Sequence, residues 1–341
     1  MKNFSIPGHY DPKNADQVYK IDYQRLANDA TAYKKAEGVT NSATDKFKIA
    51  LMPIDMQNTF CIPDYELAVM GAPKDTSRLV EFIYRNLGRI TTIFPTMDTH
   101  RVLQIFHPAF FLDANGEMVA PNTTISNQDL VSGKYQLNPA VAPALHQGYS
   151  YMKKYVLHYT QELEKAGKYQ LTIWPYHAML GGIGHALVSV LEEALHFHGI
   201  ARCSEVGFEI KGGNSLTENY SVLSPEILTD QDHKAVADKK PGFLNKLLLY
   251  DMLVIAGQAK SHCVANSISD LLTEIQAKDP ALAKKVYLLE DCTSPVVIPG
   301  VVDFTDQGNQ AFDRFKNAGM HLVKSTTPIN QWPDVDSSKL V

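Results

Sequence analysis

Five short apolar runs, at 49–54, 90–94, 206–210, 252–256 and 286–289, recur along the chain with longer amphipathic stretches between them. Near-continuous apolar runs of that length suit strands buried on both faces, as in a parallel sheet. The stretches 78–87, 183–196, 263–277 and 307–317 carry apolar residues at helical spacing. Strands alternating with helices predict an α/β fold, a parallel sheet covered by helices on both faces, with ligands gathered at the carboxyl ends of the strands. Two stretches break the alternation, 101–170 and 221–240, and both read as insertions. A connection as long as the first needs structure of its own, and 149–166 is its candidate helix.

Apolar residues make up 45% of the 341-residue chain and charged residues 20%, enough to fill a large core. Residues 1–45, polar and rich in Tyr, Asp and Lys, read as an extended arm that wraps a neighbour or the core, which admits a homo-oligomer. Residues 46–330 form the main domain and 331–341 a tail. With 37 acidic and 32 basic residues the net charge is −5, and no dense Lys/Arg run offers a track for nucleic acid. No segment approaches the roughly 20 apolar residues of a membrane span, so no membrane partner and a cytoplasmic location are expected. The cysteines Cys61, Cys203, Cys263 and Cys292 are scattered without CxxC spacing, which fits a reduced compartment.

Three strand ends carry reactive side chains. MLVIAGQAKSHCV places Cys263 near the first turn of a helix after a buried strand, where the helix dipole favours thiolate. Taken alone, a Cys there is more often a small core residue. PIDMQNTF brings Asp55 out at the same sheet edge, although turn and capping aspartates are common. Lys211 ends the run 206–210, ahead of Gly212 and Gly213. Together they supply a carboxylate, an ammonium and a thiol, the parts needed to move a proton and attack a carbonyl. MDTH adds Asp98 and His100, two apart in extended chain and so on one side, and WPYH adds His177. Such groups can share one ion, or form a surface or hydrogen-bonded pair.

At this point the chain resembles the isochorismatase-like cysteine hydrolases, and among them the nicotinamidases. PIDMQNTFC is similar to the family's DxQxxF opening, GQAKSHCV to its nucleophile segment and FEIKGGNSLTENYS to its lysine segment, while MDTH and WPYH are similar to its metal-holding elements. The resemblance spans about 46–330, outside the insertions, and implies the family's three-layer fold. It implies Asp55, Lys211 and Cys263 as catalytic triad, an oxyanion hole from the backbone N–H groups of Ala259 and Cys263, and a non-proline cis bond before Ala259. Asp98, His100 and His177 would hold a divalent ion, zinc first, manganese or iron as alternatives. Phe60 is a candidate ring contact, its alternative a plain core Phe. The implied reaction converts nicotinamide to nicotinate and ammonia through a Cys263 thioester. Alternatives are hydrolysis of another small amide or ureide, and a non-catalytic binding protein on the same fold.

The chain also departs from the pattern. Ala178 replaces the cysteine of WPxHC, Thr99 replaces the tryptophan of DWH, and Ser261 replaces an acidic residue two before the nucleophile. His107 lies at a longer spacing than the further histidine of relatives and is left out of the ligand set. His262 is too close in sequence to pair with Cys263, since adjacent helical residues diverge. LGGIGHALV lacks a phosphate-loop ending and reads as a tight helix entry. His196 and His198 read as helix C-terminal residues before Gly199, Cys203 and Cys292 as packing thiols, and Cys61 as a thiol able to line the pocket.

Overall fold

The computed structural model describes residues 4–167, 169–300 and 302–340. The first three residues of the arm and residue 341 of the tail therefore lie outside it. Strands β1 (Ile49–Ile54), β2 (Ile90–Ile93), β3 (Thr96–Asp98), β4 (Glu209–Lys211), β5 (Met252–Gly257), β6 (Val286–Leu289) and β7 (His321–Val323) carry the architecture. Five of them form one parallel sheet in the order β7-β6-β5-β1-β2. β1 and β5 pair along their full length, Ile49 opposite Met252 through Ile54 opposite Gly257. Beyond β2 the same chain continues as β3, which pairs in parallel with β4 and sets Asp98 opposite Lys211. The Asp55 N–H donates to the Thr96 carbonyl at 3.2 Å, tying β3 to the end of β1.

Each face of this sheet is covered. Ala50, Met52 and Ile54 of β1 pack with Ile268, Leu271 and Phe315 from the helices Ala265–Lys278 and Thr305–Asn317. Ile49 and Leu51, pointing the other way, pack with Leu79, Ile83 and Leu191 from Ala72–Arg85 and Ser189–Arg202. That alternation follows from the two-residue period of a strand and yields the three-layer α/β arrangement expected from the sequence. The order of strands reverses between β1 and β5, so the crevice at their carboxyl ends is the site where such sheets bind ligands.

Several local expectations are corrected. The helix expected at 78–87 begins at Ala72, because Pro73 in its first turn has the fixed φ that suits a helix start. The Gly-rich run before Ser189 forms a 3-10 turn, Ile183–His185, in place of a helix entry, and the helix then runs to Arg202. His198 is consequently within that helix, where its Nε2 reaches the Ile90 carbonyl at 2.9 Å, and Cys203 is an exposed left-handed cap with φ +51. The run 206–210 becomes a shorter strand, Glu209–Lys211, because Gly207 lies against the Phe94 ring and the ladder to β3 starts only at Glu209. The arm is not merely extended: its helix Tyr23–Glu37 packs along Ser189–Arg202. The first insertion holds the expected helix Tyr149–Ala166, one antiparallel strand pair within it, and a strand, Thr123–Ile125, that pairs with Leu171–Ile173 just beyond it. Among the described residues no helix is long and apolar enough to cross a membrane.

Candidate active site

The structure brings the three strand-end groups together. Asp55 follows β1 with φ +47, a left-handed conformation that an aspartate tolerates better than most residues, and is fully buried. Its Oδ1 accepts from Thr96 Oγ at 2.5 Å. Lys211 Nζ lies 3.0 Å from Asp55 Oδ2, 3.1 Å from Asp98 Oδ1 and 3.6 Å from Cys263 Sγ, and donates to the Asn219 carbonyl at 2.7 Å. Cys263 stands in a single π-helical turn, Lys260–Val264, that leads into Ala265–Lys278. Such turns re-aim one side chain out of the regular helical row.

This buried cluster sets the resting proton positions. Burial alone would push Lys211 down, but Asp55, Asp98 and the thiol beside it outweigh that and hold it well above its ordinary value. Burial pushes the Asp55 carboxyl up, with Lys211 pulling the other way. Burial also pushes the Cys263 thiol well up, against Lys211 and with the two carboxylates. A dipole-stabilised resting thiolate, expected from the helix entry, is therefore corrected. Desolvation and two neighbouring negative charges outweigh the helix end, so Cys263 rests as a thiol beside a base of raised affinity for its proton.

The peptide between Gln258 and Ala259 is cis. The amides on either side of Ala259 are committed: Gln258 N–H donates to the Ile54 carbonyl and Lys260 N–H to that of Ser294, both at 2.8 Å. Gln258 is itself anchored, its side-chain amide donating to Asp75 at 2.9 Å. Gly257 sits so close to β1 that a Cβ there would meet the Ile54 carbonyl oxygen at 2.1 Å, which explains glycine at this register.

Asp98, His100 and His177 also converge, and His107 joins them. Ligand atoms of His100, His107 and His177 lie within 4.8 Å of one another. In each ring Nδ1 faces a backbone carbonyl: His177 for His100 at 3.1 Å, Val102 for His107 at 3.3 Å and Pro175 for His177 at 2.7 Å. A carbonyl only accepts, so each Nδ1 carries a proton, and in the neutral ring Nε2 presents a lone pair. His107 Nε2 is buried without a partner among the described residues. His100 Nε2 faces Asp98 Oδ1 at 2.9 Å, an ion-pair contact when the ring is protonated and a pair of ligand atoms for a cation when it is neutral. Burial first, and His100 next, hold His177 well below its ordinary value and His107 down at about 4, which keeps both lone pairs available. Three imidazoles beside a carboxylate suit zinc or a similar divalent ion.

Other residues hold this arrangement in place. Gln57 donates its amide to the Asp98 carbonyl at 2.8 Å and accepts the Asp98 N–H at 2.7 Å. Gly212, at φ +85, lets the chain after Lys211 pass against Asp98 and His100, where a Cβ would come within 2.5 Å of Asp98 Oδ1. Cys263 and His177 both line a cavity of about 330 Å3, whose wall also includes Phe60, Trp174, Glu218 and Tyr220. The Phe60 ring meets His177 edge-on at 5.7 Å. Cys61, buried behind Phe60, is not among the residues lining that cavity, and burial pushes its thiol up.

His107, left out of the expected ligand set for its longer spacing, belongs with these histidines: the turn Pro108–Phe110 and the Tyr176 ring, 4.8 Å away, bring it inward. Gln57 is the glutamine of the DxQxxF opening, but its hold on Asp98 shows only in the fold; Thr96 and Glu218 carry no signal as single residues, since each acts by a contact far along the chain.

No family model matches the sequence, and neither does any curated protein. Solved structures do match. A yeast nicotinamidase bound to the inhibitor nicotinaldehyde aligns at 18% identity and TM-score 0.50, over 81% of this chain and 99% of that one. A nicotinamidase from Acinetobacter baumanii aligns at 18% identity and TM-score 0.49, over 82% and 96%. A pyrazinamidase of Pyrococcus horikoshii in complex with zinc aligns at 16% identity and TM-score 0.45, over 81% and 98%. The chain thus shares the three-layer fold of the yeast enzyme, across nearly the whole of that enzyme and most of its own length.

Proposed function

We propose that this protein is a metal-assisted cysteine amidohydrolase of the isochorismatase-like family and that it converts nicotinamide to nicotinate and ammonia. The observation that carries the reading is the buried contact of Lys211 with both Asp55 and Cys263, with Cys263 lining the same cavity as His177 and Asp98. Asp55 takes the Cys263 proton as Sγ attacks the carboxamide carbon, and the tetrahedral oxyanion sits against the N–H groups of Ala259 and Cys263. Protonated Asp55 then gives its proton to the leaving nitrogen, so ammonia departs and a Cys263 thioester remains. Water, deprotonated by Asp55, attacks the thioester; the acid leaves and the thiol is restored. Lys211 stays charged throughout and balances the negative charge that moves between Sγ and the carboxylate.

His100, His107, His177 and Asp98 would hold a divalent ion, which when bound offers a coordination position to a ring nitrogen of the substrate. Phe60 packs beside His177 and closes the ring-binding side. The departures at Thr99, Ala178 and Ser261 favour a second reading in which the same triad acts on another small amide. Ammonia release from nicotinamide and benzamide, with metal content measured on the same sample, separates the two. Nicotinamide should exceed benzamide at least tenfold in kcat/KM, about 1.4 kcal/mol of transition-state stabilisation. Equal values would remove recognition through the ring nitrogen, and activity only on another amide would establish the second reading.

A further inference from the structure

The mechanism leaves one buried carboxyl group of the cavity unused. Glu218 is 7% exposed, lines the cavity with Cys263 and His177, and accepts the Trp174 indole N–H at 2.9 Å. The same N–H lies 3.1 Å from the Tyr220 hydroxyl, so Trp174 and Tyr220 fix the carboxyl from one side. Tyr220 and Trp174 in turn pack on the ring of His262, next to the nucleophile, at 5.5 and 5.9 Å. Neither Lys nor Arg is among the described residues that line the cavity, so no such side chain there forms an ion pair with the glutamate. Burial, with Glu226 adding to it, holds the carboxyl well above its ordinary value, which favours its neutral form.

We propose that Glu218 is a substrate-binding residue that sets specificity: its carboxyl group hydrogen-bonds an uncharged polar atom of the amide substrate, an inference that rests on the amidohydrolase reading. A neutral carboxyl group both gives and takes a hydrogen bond, and in a dry pocket it discriminates strongly against a ligand that leaves it unpaired. The substrate class is therefore an uncharged amide that brings a hydrogen-bonding atom to the Trp174–Tyr220 wall. A ligand carrying a carboxylate to that wall meets no basic partner.

The test measures kcat and KM for nicotinamide in the wild type, Glu218→Leu and Glu218→Gln. Leu removes both hydrogen-bonding functions at similar bulk, and KM should rise at least tenfold while kcat changes less than threefold. Gln keeps a neutral head that gives and takes hydrogen bonds, and it should recover most of the lost KM. The Tyr220 oxygen remains as an acceptor for the Trp174 N–H, and a thermal melt of each variant checks the fold. Wild-type KM in Glu218→Leu overturns the inference alone, as does Glu218→Gln binding no better than Glu218→Leu, which would mean that a charged carboxylate is needed. A wild-type protein inactive on nicotinamide overturns both this inference and the reading beneath it.

Discussion

At the residue scale the proposed chemistry turns on Lys211, the one cation in contact with all three of Asp55, Asp98 and Cys263 among the described residues. Removing it would leave two buried carboxylates facing each other beside a thiol already pushed up by burial. Both effects oppose formation of negative charge on Sγ. Lys211→Met should therefore lower kcat on nicotinamide at least 100-fold, about 2.7 kcal/mol in the barrier, in a protein that still folds. Steady-state kinetics with a circular dichroism control checks this. A loss below fivefold would make Lys211 a structural ion-pair residue without a part in the chemistry. The individual side chains of this cluster were legible because each ends or follows an apolar run. Their protonation was not, because it depends on burial and on neighbours that come from other strands.

At the element scale, what the sequence revealed was strand ends. Asp55 after β1, Lys211 at the end of β4 and Cys263 after β5 were all found through apolar runs, since a buried strand leaves a clear pattern and its end can be counted. The helix starting at Ala72 was read late because its first turn is polar and its start depends on Pro73. The longer spacing that sets His107 apart in sequence does not decide its place, because it sits in a loop and tertiary packing alone decides where loop side chains go. Glycine at 212 was noted in sequence, yet its reason became visible only with β3 and β4 paired. Gly212→Ala would place a methyl group 2.5 Å from Asp98 Oδ1 in a backbone held at φ +85. Strain of this kind costs about 1–3 kcal/mol, and relief of the clash must displace Asp98 or His100. The variant should melt several degrees lower and carry less metal, both readable on one preparation. Unchanged melting and metal content would mean that the β4 turn has room to adjust.

At the scale of the whole molecule, the two cores on either face of the sheet bury groups that respond to pH. His198 lies between the sheet and the helix Ser189–Arg202, hydrogen-bonded to the Ile90 carbonyl, and burial lowers its pKa to about 4. The unfolded chain takes up a proton near 6.5 that the folded chain refuses until about 4. The stability from this group is present in full above 6.5 and is lost as pH falls through that window. Between pH 7.5 and 5 the loss is roughly 2 kcal/mol. Urea unfolding at both pH values should show it, and His198→Gln should flatten the difference; an equal slope in the variant would assign the pH response to other groups.

The molecule as a whole is read as an enzyme because its sheet reversal, its cavity and its buried thiol coincide at one place. The most direct test is ammonia release from nicotinamide by the metal-loaded wild type and by Cys263→Ala, with intact mass recorded early in the wild-type reaction. The account predicts turnover in the wild type, a transient adduct of the acyl group on Cys263, and no turnover in a folded Cys263→Ala. Wild-type-like ammonia release from the folded Cys263→Ala would contradict the thioester mechanism.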